Sequence, residues 1–339
     1  MPSDQVEGRV AVYIDFDNIV ISRYDQLNGN GSWRRDNARG VVPAKKSEDP
    51  TAVKLWQAEI DVSAILDYAS SFGVVALSRA YADWSVPVNA SYRKQLVNRA
   101  VDLTQLFPVT KALKNGADIR LSVDVLEDLF RLPDLTHVVI VAGDSDYIAL
   151  AQRCKRLGRF VLGIGVAGRT GPALVSACDH FEMYDAIPGA IDPARLTLDE
   201  AGEVTDAPSR VLVGTAEDLA EGAERSELAA EADAAPPEPW VPSTPPLFAD
   251  GTAPPAVLSP AKMSEKAATR LLLRALELLE AKDDEDWRPA AAVKSQIRRL
   301  DPSFSERTMG HRTFTDFVKS RGSLVEMKTE GSDRFVRLR

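Results

Sequence analysis

Apolar residues in the first 189 positions alternate between two kinds of run. RVAVYID (9–15), VVALSRAYA (74–82), HVVIVAG (137–143) and RFVLGIGV (159–166) are nearly continuous, and HFEMYDA (180–186) is a shorter run. Such runs predict strands buried on both faces, as in a parallel sheet. Between them the apolar positions recur at helical spacing. LWQAEIDVSAILDYASSFG (55–73) sets Trp56, Ile60, Ile65, Leu66, Ala69 and Phe72 near one stripe. DIRLSVDVLEDLFRL (118–132) does the same with Ile119, Val123, Leu126, Leu129 and Phe130. DYIALAQRCKRLG (146–158) closes on Gly158 as a C-cap. Strand and helix in alternation predict a three-layer α/β fold with a mostly parallel sheet. Residues 28–54 interrupt the first crossover with polar, Gly-rich sequence and are expected to be a flexible loop near the mouth of any site.

A second structured unit is expected over 263–339. SEKAATRLLLRALELLEA is an amphipathic helix capped by Ser264, RPAAAVKSQIRRL is a second with Pro289 in its first turn, and TMGHRTFTDFVKSR is a third. LVEMKTEGSDRFVRLR alternates and turns at Gly331-Ser332, a hairpin signal. Three helices and a hairpin make a small winged-helix domain. Residues 190–262 between the units are rich in Ala, Glu and Pro, with too few core formers to offset the entropy of ordering, and are expected to be a flexible linker.

Charge follows these divisions. The net charge of −9 argues against a nucleic-acid partner when taken over the whole chain. Residues 190–261, however, hold 14 acids against 3 arginines, while 262–339 hold 17 Lys/Arg against 13 acids. The acidity therefore belongs to the linker, and the C-terminal unit is basic. Two cysteines and three scattered histidines exclude a disulfide framework and make a structural zinc site untenable. MPSDQVEGRV has no apolar core of a signal peptide, and no apolar run nears the ~18 residues of a membrane helix. No membrane partner and a cytoplasmic location are expected.

The candidate chemistry lies at the strand ends. HVVIVAG runs into Asp144, Ser145 and Asp146, and VAVYID ends in Asp15, followed by Asp17 and Asn18. One helix N-cap needs one such residue, so each end carries a surplus. Ligands of open parallel sheets sit outside the carboxyl ends of the strands. If the two strands are neighbours, Asp15, Asp144 and Asp146 converge, and Asp118 at the start of KNGADIRLSVD has access to the same cleft. Asp124 lies six residues further, about 240° around the helix, and shares Asp118's direction only if the helix begins after Asp118. Carboxylates brought together need a cation, and an all-oxygen donor set suits Mg2+ or Mn2+. Such ions activate water and stabilise the oxygens of a phosphoryl displacement. Ser145 either caps the helix or adds a ligand through water.

YIDFDN, KNGADIRLSVD and AGDSDY, in that order, resemble the NYN domain family of PIN-like nucleases over residues 8–187. The resemblance implies a PIN-like three-layer fold and a metal-dependent ribonuclease acting on RNA. It maps site residues onto Asp15 and Asn18, onto Asp118 and Asp124, and onto Asp144 and Asp146. Asp17 and Ser145 support them, and in ACDHFEMYD Asp179 precedes the closing strand. Tyr147 stands where the family usually has Phe, a change expected to be neutral. The C-terminal LDPSFSERTMGHRTFTDFVKS with its hairpin resembles the OST-HTH, or LOTUS, domain, which implies RNA binding or a protein partner. Lys294, Arg298, Arg299, Arg307, His311, Arg312, Lys319 and Arg321 would supply its basic surface. Two other readings stay open. DFDNI approaches the nucleophile motif of HAD-type phosphatases with Asp15 as nucleophile, although Ile148 stands where that family wants a second acid. A non-catalytic RNA-binding adaptor with a vestigial metal site fits the same motifs.

Overall fold

Strand β1 (Arg9–Asp15) is buried from Val10 onward and lies inside the sheet, because it is apolar on both faces. In the computed structural model, which describes residues 8–107, 116–190, 263–282, 285–330 and 333–339, it pairs in parallel with β2 (Val74–Ala82) and β4 (His137–Val141). β3 (Asp102–Gln105) extends the sheet beyond β2, and β5 (Phe160–Gly165) and β6 (His180–Met183) extend it beyond β4. The order is β3-β2-β1-β4-β5-β6, parallel throughout. The three-layer α/β fold expected from the sequence is present. β3 was not expected, since DLTQ is short, half-exposed and carries one strongly apolar residue.

One face of the sheet is covered by α1 (Phe16–Asn28), α2 (Ser32–Arg35), α3 (Pro50–Gln57), α4 (Val62–Ser70), α5 (Pro87–Ala90) and α6 (Arg93–Asn98). Their side chains share a core with Val10, Val12, Ile14, Val139, Val141 and Leu162. The other face is covered by α7 (Ala117–Arg131), α8 (Ile148–Arg156) and α9 (Pro172–Ala177), packed on Ala11, Tyr13, Val138, Ile140 and Val161. Cys154 and Cys178 are buried free thiols in that second core.

Two sequence expectations on the first face need correction. The helix expected over 55–73 is two helices, because Asp61 caps α4 by accepting from Ala64 N at 3.1 Å. The stretch 28–54 is not a flexible loop. It folds into α2, a 3-10 turn at Ala38–Gly40 and the start of α3, with Trp33, Ala38 and Ala52 buried. Buried polar caps replace the missing apolar periodicity. Asp25 accepts from Gly31 N at 3.0 Å and Trp33 N at 2.8 Å, and Asp36 takes the Tyr24 hydroxyl and Lys54 Nζ, each at 2.8 Å.

α7 also turns a different face to the sheet. Ile119, Val123 and Phe130, expected in the core, are 69%, 56% and 74% exposed. Leu129 is buried as expected, but Leu121 and Val125 take the places of the others, together with Asp124 and Asp128. Those acids are held by partners from the sheet. Tyr13 Oη donates to Asp128 Oδ2 at 3.0 Å, Tyr81 Oη donates to Asp124 Oδ2 at 3.0 Å, and Arg79 Nη1 lies 3.4 Å and 3.2 Å from the two carboxylates. Removing the guanidinium would leave two acids at a buried interface without that cation. Arg79→Leu is expected to lower stability by about 3 kcal/mol in denaturant unfolding. A change below about 0.5 kcal/mol would show that the pair does not anchor α7.

In the C-terminal unit, α10 (Glu265–Glu280), α11 (Ala290–Leu300) and α12 (Phe314–Lys319) pack on a sheet of order β7-β9-β8, formed by β7 (Arg288–Pro289), β8 (Val325–Glu330) and β9 (Asp333–Leu338). Leu272, Leu276, Val293, Ile297, Phe304, Phe317 and Val336 form its core. Ser264 caps α10 as expected, and Thr313 with Asp316 forms a capping box on α12. The expected small winged-helix arrangement is there. The linker residues 191–262 and the turn at Gly331-Ser332 lie outside the described residues.

Candidate functional site

The strand order reverses between β1 and β4, which leaves a crevice beyond their carboxyl ends. Asp15, the last residue of β1, stands at that point. Its Oδ1 caps α1 by accepting from Asn18 N at 3.1 Å, and its Oδ2 accepts from the Tyr147 hydroxyl at 2.8 Å. Burial pushes its carboxyl up to about 7. The Tyr147 and Asn18 hydrogen bonds oppose the rise, and the nearby charges of Asp17 and Asp144 reinforce it. Asn18 Oδ1 accepts from Gly143 N at 2.9 Å, so one side chain ties the tips of β1 and β4 together.

Asp144 follows β4 as the cap of a 3-10 turn, Ser145–Tyr147, and accepts from Asp146 N at 3.1 Å. It is exposed, as are Ser145 and Asp146. Asp118 sits half-buried in the first turn of α7, behind Gly116 in the left-handed conformation. Burial raises the pKa of the Tyr147 phenol, and the charges of Asp15, Asp118 and Asp144 all raise it further. The Tyr147 hydroxyl, expected to be a neutral replacement, is the group that fixes an Asp15 oxygen.

Not every expected residue joins this group. Asp124 is committed to the α7–sheet interface, with Arg120 Nε at 3.0 Å as well as Tyr81 and Arg79. Asp179 sits at the opposite edge of the sheet, where its Oδ2 accepts from Val161 N at the start of β5 and its Oδ1 pairs with Lys155 at 2.9 Å. Asp17 turns toward the β2 side and accepts from Asn89 Nδ2 at 2.6 Å. Asn89 also donates to the Asp83 carbonyl, and the Asp83 carboxylate takes Arg39 Nη2 and Gln105 Nε2, each at 2.9 Å. Asp83, just beyond β2, was missed because it sits in no motif. The strand-end rule applied to β2 would have found it.

The basic residues of the C-terminal unit divide in the same way. Arg298, Arg307, Arg312 and Lys319 are exposed. Lys294 is paired with Glu306 at 2.6 Å, and Arg299 Nη1 donates to the Ser70 carbonyl at 3.2 Å, beside Gln296, whose Nε2 donates to Ser70 Oγ at 3.0 Å. His311 packs edge-on against Phe317, and the Arg321 guanidinium lies over the same ring.

An open cleft of about 380 Å³ lies beside Asp144, lined by Asn18, Ile21, Ser22, Gly143, Ser145, Arg169 and Gly171. Among the described residues no group of three or more His, Cys, Asp or Glu side chains is placed so that it could hold a metal ion. The donor chemistry nevertheless fits a hard, hydrated ion. Asp15 and Asp144 stand at the adjoining ends of β1 and β4, and the burial-raised Asp15 carboxyl is one that a cation would return to the ionised form. Mg2+ keeps several waters and takes only one or two carboxylates directly. Among the described residues no helix is long and apolar enough to cross a membrane.

The NYN domain family model matches residues 9–185, and the OST-HTH/LOTUS domain model matches residues 262–337. No curated protein matches the chain. A crystal structure of a protein of unknown function from Vibrio parahaemolyticus RIMD 2210633 is similar at a TM-score of 0.39 and 20% identity, over 54% of this chain and 96% of that one. NYN domains are typically nucleases, and OST-HTH/LOTUS domains are associated with RNA. The chain therefore belongs to the NYN domain family and couples a ribonuclease-like domain to an RNA-associated one.

Proposed function

We propose that the protein is an endoribonuclease dependent on Mg2+ or Mn2+, acting in the cytoplasm, with its C-terminal module as an RNA-holding tether. The observation that carries this reading is the placement of Asp15 and Asp144 at the adjoining ends of β1 and β4, the switch point of the sheet, inside the NYN match. Asp15, Asp118 and Asp144 would hold the ion, with Asp146 at the rim. A bound ion supplies an activated water and neutralises charge on the phosphate. The chain's own groups do the positioning. Tyr147 and Asn18 N each hold one oxygen of Asp15, and the Asn18 side chain locks the β4 tip that presents Asp144. The exposed Arg298, Arg307, Arg312 and Lys319 would contact phosphates.

One second reading is a non-catalytic RNA-binding adaptor, since among the described residues no group of three or more His, Cys, Asp or Glu is placed to hold a metal ion. The NYN match leaves the phosphatase reading without support. One experiment separates the remaining two: labelled RNA and DNA incubated with the full chain in Mg2+, Mn2+ or EDTA, with the product ends mapped. Internal cuts in RNA that EDTA abolishes are expected. RNA binding without cleavage in either metal would leave only the adaptor.

A further inference from the structure

The cleft beside Asp144 has one arginine in its lining. Arg169 lies on the loop between β5 and α9, and that loop is laid against the tip of β4. Gly171 N donates to the Gly143 carbonyl at 3.4 Å, and a Cβ added at Gly143 would stand 3.3 Å from the Arg169 carbonyl oxygen. The loop and Asp144 are therefore walls of the same cleft. The guanidinium is held from behind. Its Nη2 lies 3.2 Å from Asp25 Oδ2 and its Nη1 donates to Asn30 Oδ1 at 2.6 Å, while its Nε is buried without a partner. Asp25 is itself fixed by Gly31 N and Trp33 N.

A cleft that opens beside the exposed Asp144 repels a polyanion unless a fixed cation offsets that charge. A guanidinium has five N–H donors, and the contacts to Asp25 and Asn30 use two of them. It is pre-oriented by those contacts, with 28% of its side chain exposed. We propose that Arg169 is a phosphate-binding residue that seats an RNA phosphate neighbouring the scissile one, so that the scissile linkage lies before Asp144. This assignment rests on the ribonuclease reading for its role in cleavage, but not for the phosphate contact itself. It also gives the 28–54 stretch a function, because its first turn supplies Asn30 and is tied to the same Asp25.

The test measures binding of a fluorescent single-stranded RNA to the full chain in EDTA over a range of salt, for wild type, R169Q, R169K and N30A. R169Q is expected to bind roughly tenfold more weakly. Its log–log salt slope is expected to shrink by ~0.7, the value of one phosphate contact on a single strand. R169K should keep the wild-type slope because it keeps the charge, and its melting temperature shows whether either substitution disturbs the fold. N30A removes a loop tether without removing charge and should also keep the slope. A wild-type slope in R169Q overturns the proposal. So does an equal loss of slope in N30A, which would mean that Arg169 acts only by holding the loop. If wild type binds RNA with the Arg169-dependent slope but cuts nothing in Mg2+ or Mn2+, the phosphate site stands and the nuclease reading fails. If it binds no RNA, both fail.

Discussion

Asp144→Asn is expected to leave the fold and RNA binding intact while lowering metal-dependent cleavage on the order of 10³-fold, equivalent to several kcal/mol of lost transition-state stabilisation. The substitution isolates charge from shape. Asp144 Oδ1 caps the 3-10 turn by accepting from Asp146 N at 3.1 Å, and an asparagine oxygen takes the same bond. Asn and Asp cap about equally well, so loss of a capping role alone would change stability by a few tenths of a kcal/mol. The lost negative charge also relieves Asp15, whose carboxyl Asp144 helps to raise. Melting in EDTA should therefore stay level or rise slightly. Gel assays with Mn2+ would read the cleavage, and anisotropy in EDTA the binding. Near-normal metal-dependent cleavage by this variant would remove Asp144 from the site and leave its exposed position to capping alone.

The parts of this site that were legible in the sequence are those that one strand dictates locally. RVAVYID and HVVIVAG are buried on both faces, so their ends had to meet a polar boundary, and the acids there stand on neighbouring strands. What long-range partners decide was not legible. The buried face of α7 contains Asp124 and Asp128 because Arg79, Tyr81 and Tyr13 come from two strands to meet them. Periodicity counts those positions as polar and turns the helix the wrong way, sending Ile119 and Val123 inward. Asp124 entered the metal set through the family resemblance, and the same partners hold it at the α7–sheet interface. The order of motifs suggested Asp179, but the parallel register of β5 and β6 sets it at the amino edge of the sheet. Residues 28–54 looked flexible because Asp25's bonds to backbone N–H groups and Asp36's bonds to Tyr24 and Lys54, rather than an apolar stripe, organise them. Tyr147 differs from Phe by one hydroxyl, and only its distance to Asp15 gives that hydroxyl a role.

In metal-free protein, Asp15→Asn is expected to raise the melting temperature at pH 8 and to abolish cleavage. The ordinary carboxyl value is 3.8, and burial holds Asp15 at about 7 in the folded state. Between those values the folded protein binds the extra proton, so stability falls as pH rises. The contribution is fully present below pH 4 and is lost as pH passes through 7. A gap of that size corresponds to roughly 4 kcal/mol as an upper bound, which converts to at most about 8–16 °C in melting temperature for a domain of this size. Asparagine is neutral at every pH and avoids the cost. Its oxygen still accepts from Asn18 N, and its amide can donate to the Tyr147 oxygen, which accepts as readily as it donates. Melts in EDTA from pH 4 to 8 should fall for wild type and run flatter for the variant, with the curves crossing between. Mn2+ should then stabilise wild type at pH 8, where the ionised carboxylate is available to it, and leave the variant nearly unchanged. A helix cap with an ordinary acidity would behave in the opposite way: ionised across this range, it would give parallel curves and no gain from asparagine. An Asp15→Asn protein no more stable than wild type at pH 8 in EDTA would mean that this carboxylate is not held under strain at the switch point.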